Sequence, residues 1–483
     1  MAITAVSIGA LGFGLAASGS GIPSYWGDEA ASILATQRPF PALLALLLRI
    51  DAVHGLYYSF LQVWTGVFGT GEFATRFPST VAVGFAAAGV VVLANRLLGP
   101  RLGLVSGAVF AVLPVVTRYG AETRSYGMVI AASVWLMVLL VHLAQRRSRS
   151  IAGWASFAFA SAVSVHLFVY LVLLWPVQFA MLLLLRAPRS VMVRWLSASS
   201  VALVLSLPFI MLAVSQRFQI AFLAEREYAT AASALAGQWF DFAVWFAILA
   251  WALMVAAAAA ASRWSELRPA CAIAAIWALL PTVVLLIGNA LVTPMYNLRY
   301  TAFSAPAVAM LMAIGIEGVR RALAKRLHPR RAEYVTAALV AAIVIAVAPV
   351  YMTQRTPFSK AGGADFRQTA AAVAAHAQPG DAIVFDETTR FAQRPRLAID
   401  LYPEQFAGVH DVALEVPYFA RDWLWDEVAT LPETLKRLAG YDRVWVLERG
   451  RNQAEVDAVR SLGFNVRQSI PVNRIIVYEL VRK

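Results

Sequence analysis

Two adjacent carboxylates, Asp28 and Glu29, follow the first hydrophobic stretch in the run Tyr25-Trp26-Gly27-Asp28-Glu29. Acids at the mouth of a membrane helix are costly unless they face water and have a role there. A carboxylate in that position can take the proton of an incoming hydroxyl. Further polar residues recur between apolar runs: Asp51, His54, Tyr57 and Tyr58; Arg118 and Tyr119 through Glu122, Arg124 and Tyr126; His166; and Tyr296, Arg299 and Tyr300. Arginines in such places bind phosphate and stabilise the charge of a departing anion. These residue types suit displacement at a carbon already activated by a lipid-linked phosphate diester. One carboxylate deprotonates the attacking hydroxyl, and the phosphate leaves as a stable anion without a general acid. Glycoside hydrolysis instead needs two carboxyls about 5–9.5 Å apart, whereas neighbours on a chain generally point apart. Each residue also has a plainer role open to it. Asp28 could cap the helix that follows and Glu29 could lie on a solvated surface. Glu122 could pair with Arg118 or Arg124, His54 could anchor at the interface, and His166 could bond between helices. Tyr126 and Tyr300 could belong to an aromatic belt, and the arginines could touch headgroups.

The elements that would position these groups are membrane helices. The chain is 60% hydrophobic and only 14% charged, against about 25% charged in average globular proteins; mean hydropathy is +0.65. That composition describes a polytopic membrane protein. The single cysteine, Cys271, lies in an apolar run, which excludes an intramolecular disulfide. The +13 net charge is uneven. Residues 355–483 carry 17 basic and 17 acidic side chains, and residues 1–354 carry 24 and 11. The excess falls in short loops at Arg96/Arg101, Arg146-Arg147-Ser148-Arg149, Arg186/Arg189/Arg194, Arg263/Arg268 and Arg320 to Arg331. This is the positive-inside pattern, so no nucleic-acid partner is implied.

A span needs about 20 apolar residues. Suitable stretches are roughly 3–21, 76–98, 102–119, 126–144, 151–167, 169–186, 195–214, 240–262, 270–292, 301–319 and 334–352, about eleven transmembrane helices. A cytoplasmic N-terminus puts every basic loop inside. The opposite face then carries 20–75, 118–126, the turn near His166, 215–240, 293–300 and everything after 353, which gathers the polar residues on one side. His54 to Phe68 is short and rich in Tyr and Trp, and reads as an interfacial helix. The first 21 residues lack the basic n-region and clear cleavage site of a signal peptide, and read as a retained span. After Tyr351 the pattern changes. Phe366 to Ala377 predicts a helix, Ala382 to Phe385 and Arg443 to Glu448 short buried strands, Ala454 to Leu462 a helix and Arg474 to Val481 a last strand. Strands interleaved with helices predict a small α/β domain. No Gly-rich loop opens any of its helices, which argues against a nucleotide site.

With the motifs in order, a resemblance is clear. Asp28-Glu29 resembles the first-loop acidic motif of the GT-C glycosyltransferases that use polyprenyl-phosphate sugars. Asp51-Ala52-Val53-His54-Gly55-Leu56-Tyr57-Tyr58 is similar to the loop segment that follows, and Gly71-Glu72-Phe73-Ala74-Thr75-Arg76-Phe77-Pro78-Ser79 to the start of the next span. Glu122-Thr123-Arg124-Ser125-Tyr126 resembles the second-loop motif, and Asn297-Leu298-Arg299-Tyr300 a late Arg-Tyr element. The likeness covers about residues 20–320 and leans toward bacterial protein O-mannosyltransferases and the lipid A aminoarabinose transferase. One departure is Gly55 after His54, where the family usually has prolines. The resemblance implies a polytopic α-helical GT-C membrane protein: a catalytic module over 1–354 with a large first loop, and a C-terminal extracytoplasmic α/β domain over 355–483. It implies inverting transfer of mannose, or else arabinose, from a polyprenyl-phosphate donor to a lipid, glycan or protein acceptor outside the cytoplasm of a bacterial plasma membrane. Asp28 and Glu29 would be catalytic, with Asp28 as base. Arg299, Arg124, His166 and Tyr300 would bind the donor phosphate, and His54, Tyr57, Glu122 and Tyr126 the acceptor. A Mg or Mn ion, where one is used, would sit on Asp28 and Glu29. The competing classes are a lipid-linked glycan transporter or flippase, and a glycan polymerase or ligase. The nearly charge-free cores of the predicted spans speak against transport.

Overall fold

The computed structural model describes residues 1–225, 227–324, 329–450 and 453–483. They form two compact units, each assembled from separate stretches of chain. The first comprises Met1–Ser18, Ala52–Tyr57 and Arg76–Met352; the second comprises Gly19–Asp51, Tyr58–Thr75 and Thr353–Lys483.

The first unit is helical and makes the chain a multi-pass integral membrane protein. Seven of its helices are long and apolar enough to cross a bilayer: Glu72–Leu98, Tyr126–Gln145, Arg189–Ser215, Val244–Arg263, Ser265–Leu291, Leu298–Ala324 and Glu333–Thr353. Seven of the about eleven expected spans are thus long apolar helices among the described residues. The other four stretches are shorter or broken. Ala2–Ala17 has 16 residues and Ile151–Leu167 has 17, about 25 Å at 1.5 Å per residue, below a hydrocarbon core of about 30 Å. The 102–119 stretch divides at Leu113 into Pro100–Val112 and Pro114–Tyr119, because Pro114 has no N–H to continue the ladder. The 169–186 stretch begins as a 3-10 turn, Val169–Leu173, ahead of the Leu174–Leu184 helix. Gly55–Phe68 is a 14-residue helix, also too short to span. Leu298–Ala324 lies at the centre of the unit, with 94% of its apolar window buried. Its close approach to Val244–Arg263 depends on Gly315, where an added Cβ would lie 2.0 Å from the Leu253 carbonyl oxygen; small residues let membrane helices meet in this way. In the basic stretch from Arg320, Glu317 accepts from both Arg320 and Arg321; residues 325–328 lie outside the described residues.

The second unit is built on a mixed sheet of order β2-β1-β5-β7-β6. Strands β1 (Ala382–Phe385), β2 (His410–Asp411) and β5 (Arg443–Arg449) run parallel, and β7 (Ile475–Arg482) pairs antiparallel with β5 and with β6 (Phe464–Pro471). A ribbon of β3 (Leu414–Val416) and β4 (Glu427–Val428) stands apart. Side chains alternate faces along a strand. Ile383, Phe385, Trp445 and Leu447 enter one core with Tyr25, Ala30, Ile33 and Leu34. Val384, Val444 and Val446 enter the opposite core with Val456 and Val459. The strands expected at 382–385, 443–448 and 474–481 are present. Strand β6 was not expected, because it is an edge strand whose residues after Phe464 are mostly exposed and polar.

Candidate active site

Asp28 and Glu29 occupy the first turn of the Gly27–Thr36 helix, where the helix dipole favours carboxylates. This helix is rooted in the second unit. Tyr25, Ala30, Ile33 and Leu34 share a core with Phe366, Phe385 and Trp445. An added Cβ at Gly27 would lie 2.0 Å from the Ala392 carbonyl oxygen, so only glycine permits that approach. Beyond the helix, Arg38 donates to the carbonyls of Tyr418, Arg421, Trp423 and Leu424. The Tyr402 hydroxyl donates to Glu72 at 2.7 Å, and Arg367 pairs with the same carboxylate at 3.2 Å. The two acids differ sharply in setting. Glu29 is fully buried, whereas Asp28 is partly exposed. Successive helix positions face about 100° apart, so the pair does not form a chelate by itself and a metal there would need further ligands.

The polar loops of the first unit make a second, basic centre. Arg124 and the His54 Nε2 are 2.5 Å apart. Burial first, and then the guanidiniums of Arg124 and Arg299, hold His54 well below its ordinary range. The imidazole is therefore neutral and accepts from Arg124. Two cations bearing on one neutral, buried ring form a concentrated positive field suited to an anion. Glu122 and Arg299 both act on Arg118, which pairs with Asp241. The loop bearing Glu122 and Arg124 is fixed by Ser79, whose hydroxyl donates to the carbonyls of both residues at 2.7 and 3.2 Å. Tyr126 packs on Tyr119, with centroids 5.0 Å apart, and on Phe168 at 5.9 Å; Phe168 in turn meets Tyr300 at 6.0 Å.

Arg299 and Tyr300 ride on a 3-10 turn, Leu298–Ser304, capped by the Asn297 side chain. The buried Gln238 anchors it: its Oε1 accepts from Thr301, Tyr296 and Thr282 at 3.0, 3.1 and 3.2 Å. Trp239 donates to Ser304 at 2.9 Å, and Ser133 to the Phe303 carbonyl at 3.0 Å. Sequence reasoning missed Gln238 and Asp241 as positioning residues. The run Gln238-Trp239-Phe240-Asp241 was a signal, since two polar side chains interrupt a long apolar stretch.

The structure thus gathers His54, Glu122, Arg124, Tyr126, Arg299 and Tyr300 in one unit, and sets Asp28 and Glu29 on the other. His166 is not among the first group. Its Nδ1–H donates to the Ala162 carbonyl one turn back at 2.9 Å, and its ring stacks on Phe209 at 4.8 Å. Tyr57 is buried, 1% exposed, and the Tyr58 hydroxyl donates to Asp51 at 2.9 Å. Among the described residues, a buried acidic triad that could bind a metal is Asp386, Glu448 and Glu455.

Known structures share this architecture across nearly the whole chain. ArnT from Cupriavidus metallidurans, solved with undecaprenyl phosphate, superposes with a TM-score of 0.59 at 13% identity, covering 98% of this chain and 97% of that one. The likeness is one of fold, to structures of the GT-C type. The mycobacterial arabinofuranosyltransferase AftD matches with a TM-score of 0.53 at 14% identity, over 100% of this chain and 40% of its own. The Archaeoglobus fulgidus oligosaccharyltransferase, solved with Zn and sulfate, matches at 0.50 and 11% identity, over 92% and 68%. No family model matches the chain, and no curated protein matches it in sequence.

Proposed function

We propose that this protein is an inverting membrane glycosyltransferase that moves a sugar from a polyprenyl-phosphate donor to a hydroxyl of a lipid, glycan or protein acceptor. The observation that carries the reading is the pair of guanidiniums, Arg124 and Arg299, focused on neutral His54 within a GT-C fold. A phosphate monoester leaving group needs such a field. Relatives of this fold solved with undecaprenyl phosphate and with sulfate add support for an anionic ligand. Asp28 is the base, because it is the member of the acidic pair open to an arriving hydroxyl. It removes the proton as the acceptor oxygen attacks the anomeric carbon, and the C–O bond to phosphate breaks on the opposite face. Arg299 and Arg124 take up the developing charge, Tyr300 supports them, and Glu122 and Tyr126 contact the acceptor. The sugar is mannose or arabinose. The module over 1–354 holds the donor, the domain over 355–483 shapes the acceptor side, and both catalytic groups face away from the cytoplasm of a bacterial plasma membrane.

The test uses purified protein in nanodiscs with labelled polyprenyl-phosphate mannose or arabinose and a membrane extract as acceptor. Label should appear in a new glycosidic product with release of polyprenyl phosphate. In proteoliposomes, labelled lipid crossing the bilayer intact, with no such product, would instead make the protein a flippase.

A further inference from the structure

We propose that the α/β domain carries a calcium site of its own, built from Asp386, Glu448 and Glu455. One carboxylate oxygen from each lies within 4.8 Å of the others. Asp386 follows β1, Glu448 lies near the end of the parallel neighbour β5, and Glu455 opens the short helix Ala454–Arg460. Ligands of open α/β sheets collect at this carboxyl end of parallel strands. By strand alternation, Glu448 belongs to the face of Val444 and Val446, opposite the one against which the Asp28 helix packs. The site is therefore distinct from the proposed catalytic acids.

Two observations point to a cation rather than to a merely acidic patch. First, none of the three acids is ion-paired among the described residues, although Asp386 and Glu448 are fully buried and Glu455 is 4% exposed. Buried carboxylates without a counter-cation are strongly unfavourable. Second, Glu448 is held with one oxygen spoken for and the other not. Its Oε1 accepts from the backbone N–H groups of Glu455 and Val456 at 3.0 and 3.1 Å. Its Oε2 and the Oε2 of Glu455 are buried with no N–H or hydroxyl to accept from, and the two carboxyls face each other. Asp386 is kept in place by the Thr388 N–H and hydroxyl at 2.8 and 2.6 Å.

The donor set selects the ion. Oxygen donors with neither imidazole nor thiolate suit hard cations. The three oxygens lie within 4.8 Å of one another, close enough for a single calcium ion with ligands at about 2.3–2.6 Å to meet all three. Magnesium dehydrates reluctantly and is usually held by only one or two carboxylates with several waters, so a buried set of three carboxylates favours calcium. Three carboxylates supply at least three of the six to eight ligands calcium takes, and carbonyls or water complete the shell.

The experiment is calorimetric titration of the full-length chain, stripped with EGTA, with calcium chloride and separately with magnesium chloride. The wild type should bind about one equivalent of calcium with a dissociation constant of roughly 10 μM to 1 mM, and magnesium more weakly. A Glu448→Gln/Glu455→Gln double variant should bind calcium at least tenfold more weakly. Because that variant could fold poorly, the wild-type thermal midpoint is read as well; it should rise with calcium and return on adding EGTA. Equal calcium binding by wild type and variant would overturn the proposal. So would a wild-type midpoint indifferent to calcium together with a more stable double variant, which would identify a proton-sharing acid pair.

Discussion

At Asp28 and Glu29 one backbone step separates two carboxylates with different surroundings, and the proposed choice of base rests on that difference. Asp28 is partly exposed; Glu29 is buried. The adjacency was plain in the sequence, but not which acid would face outward, since that depends on a helix phase set by distant packing partners. Arg299 and His54 give further tests at this scale. Replacing Arg299 with Lys keeps the charge but loses the planar fork that grips phosphate, so the donor KM should rise about tenfold, read from initial rates at saturating acceptor. The folded value of His54 lies below its ordinary 6.5. Its neutrality therefore contributes stability that is complete above about pH 6.5 and is lost as pH falls toward the folded value. The difference between the thermal midpoints of wild type and His54→Gln should be constant above about pH 7, and the wild type should lose ground relative to the variant below about pH 6. A wild-type midpoint that rises on acidification relative to the variant would contradict this.

Among the elements, the short connectors govern the site more than the long helices do. The Leu298–Ser304 turn depends on Gln238. Gln238→Leu would leave the buried hydroxyls of Tyr296 and Thr282 short of an acceptor, while Thr301 keeps the Leu298 carbonyl, at a cost of about 1–3 kcal/mol, and should raise the donor KM through displaced Arg299. Unchanged donor KM with lowered stability would mean that the turn holds its shape by other bonds. Gly27→Ala should destabilise the second unit by about 1–3 kcal/mol through overpacking, because its Cβ meets the Ala392 carbonyl; denaturation of the purified protein would measure it. Apolar runs revealed helices readily, yet four expected spans proved short or broken. Hydropathy averages cannot see Pro114 interrupting 102–119, nor the 3-10 turn at Val169–Leu173. Strand β6 was hidden for a related reason: an edge strand with an exposed face lacks the apolar alternation that betrays a buried one.

For the whole molecule, sequence order misleads about association. The tail and the first loop are far apart in the chain, yet Ile33 and Leu34 share a core with Phe366 and Trp445. Such long-range pairing leaves no local signature, so the motifs were legible while their grouping into two units was not. Deleting 356–483 would strip the partners from the Asp28 helix. We expect transfer to be abolished while the membrane unit still inserts, assayed by labelled-sugar transfer and membrane extraction of the truncated chain. The most direct test of the account compares Asp28→Asn with wild type, using labelled polyprenyl-phosphate sugar and acceptor extract. General-base removal should lower kcat by about 10²–10⁴-fold and leave donor binding nearly unchanged. Transfer by Asp28→Asn at a rate close to wild type would contradict it.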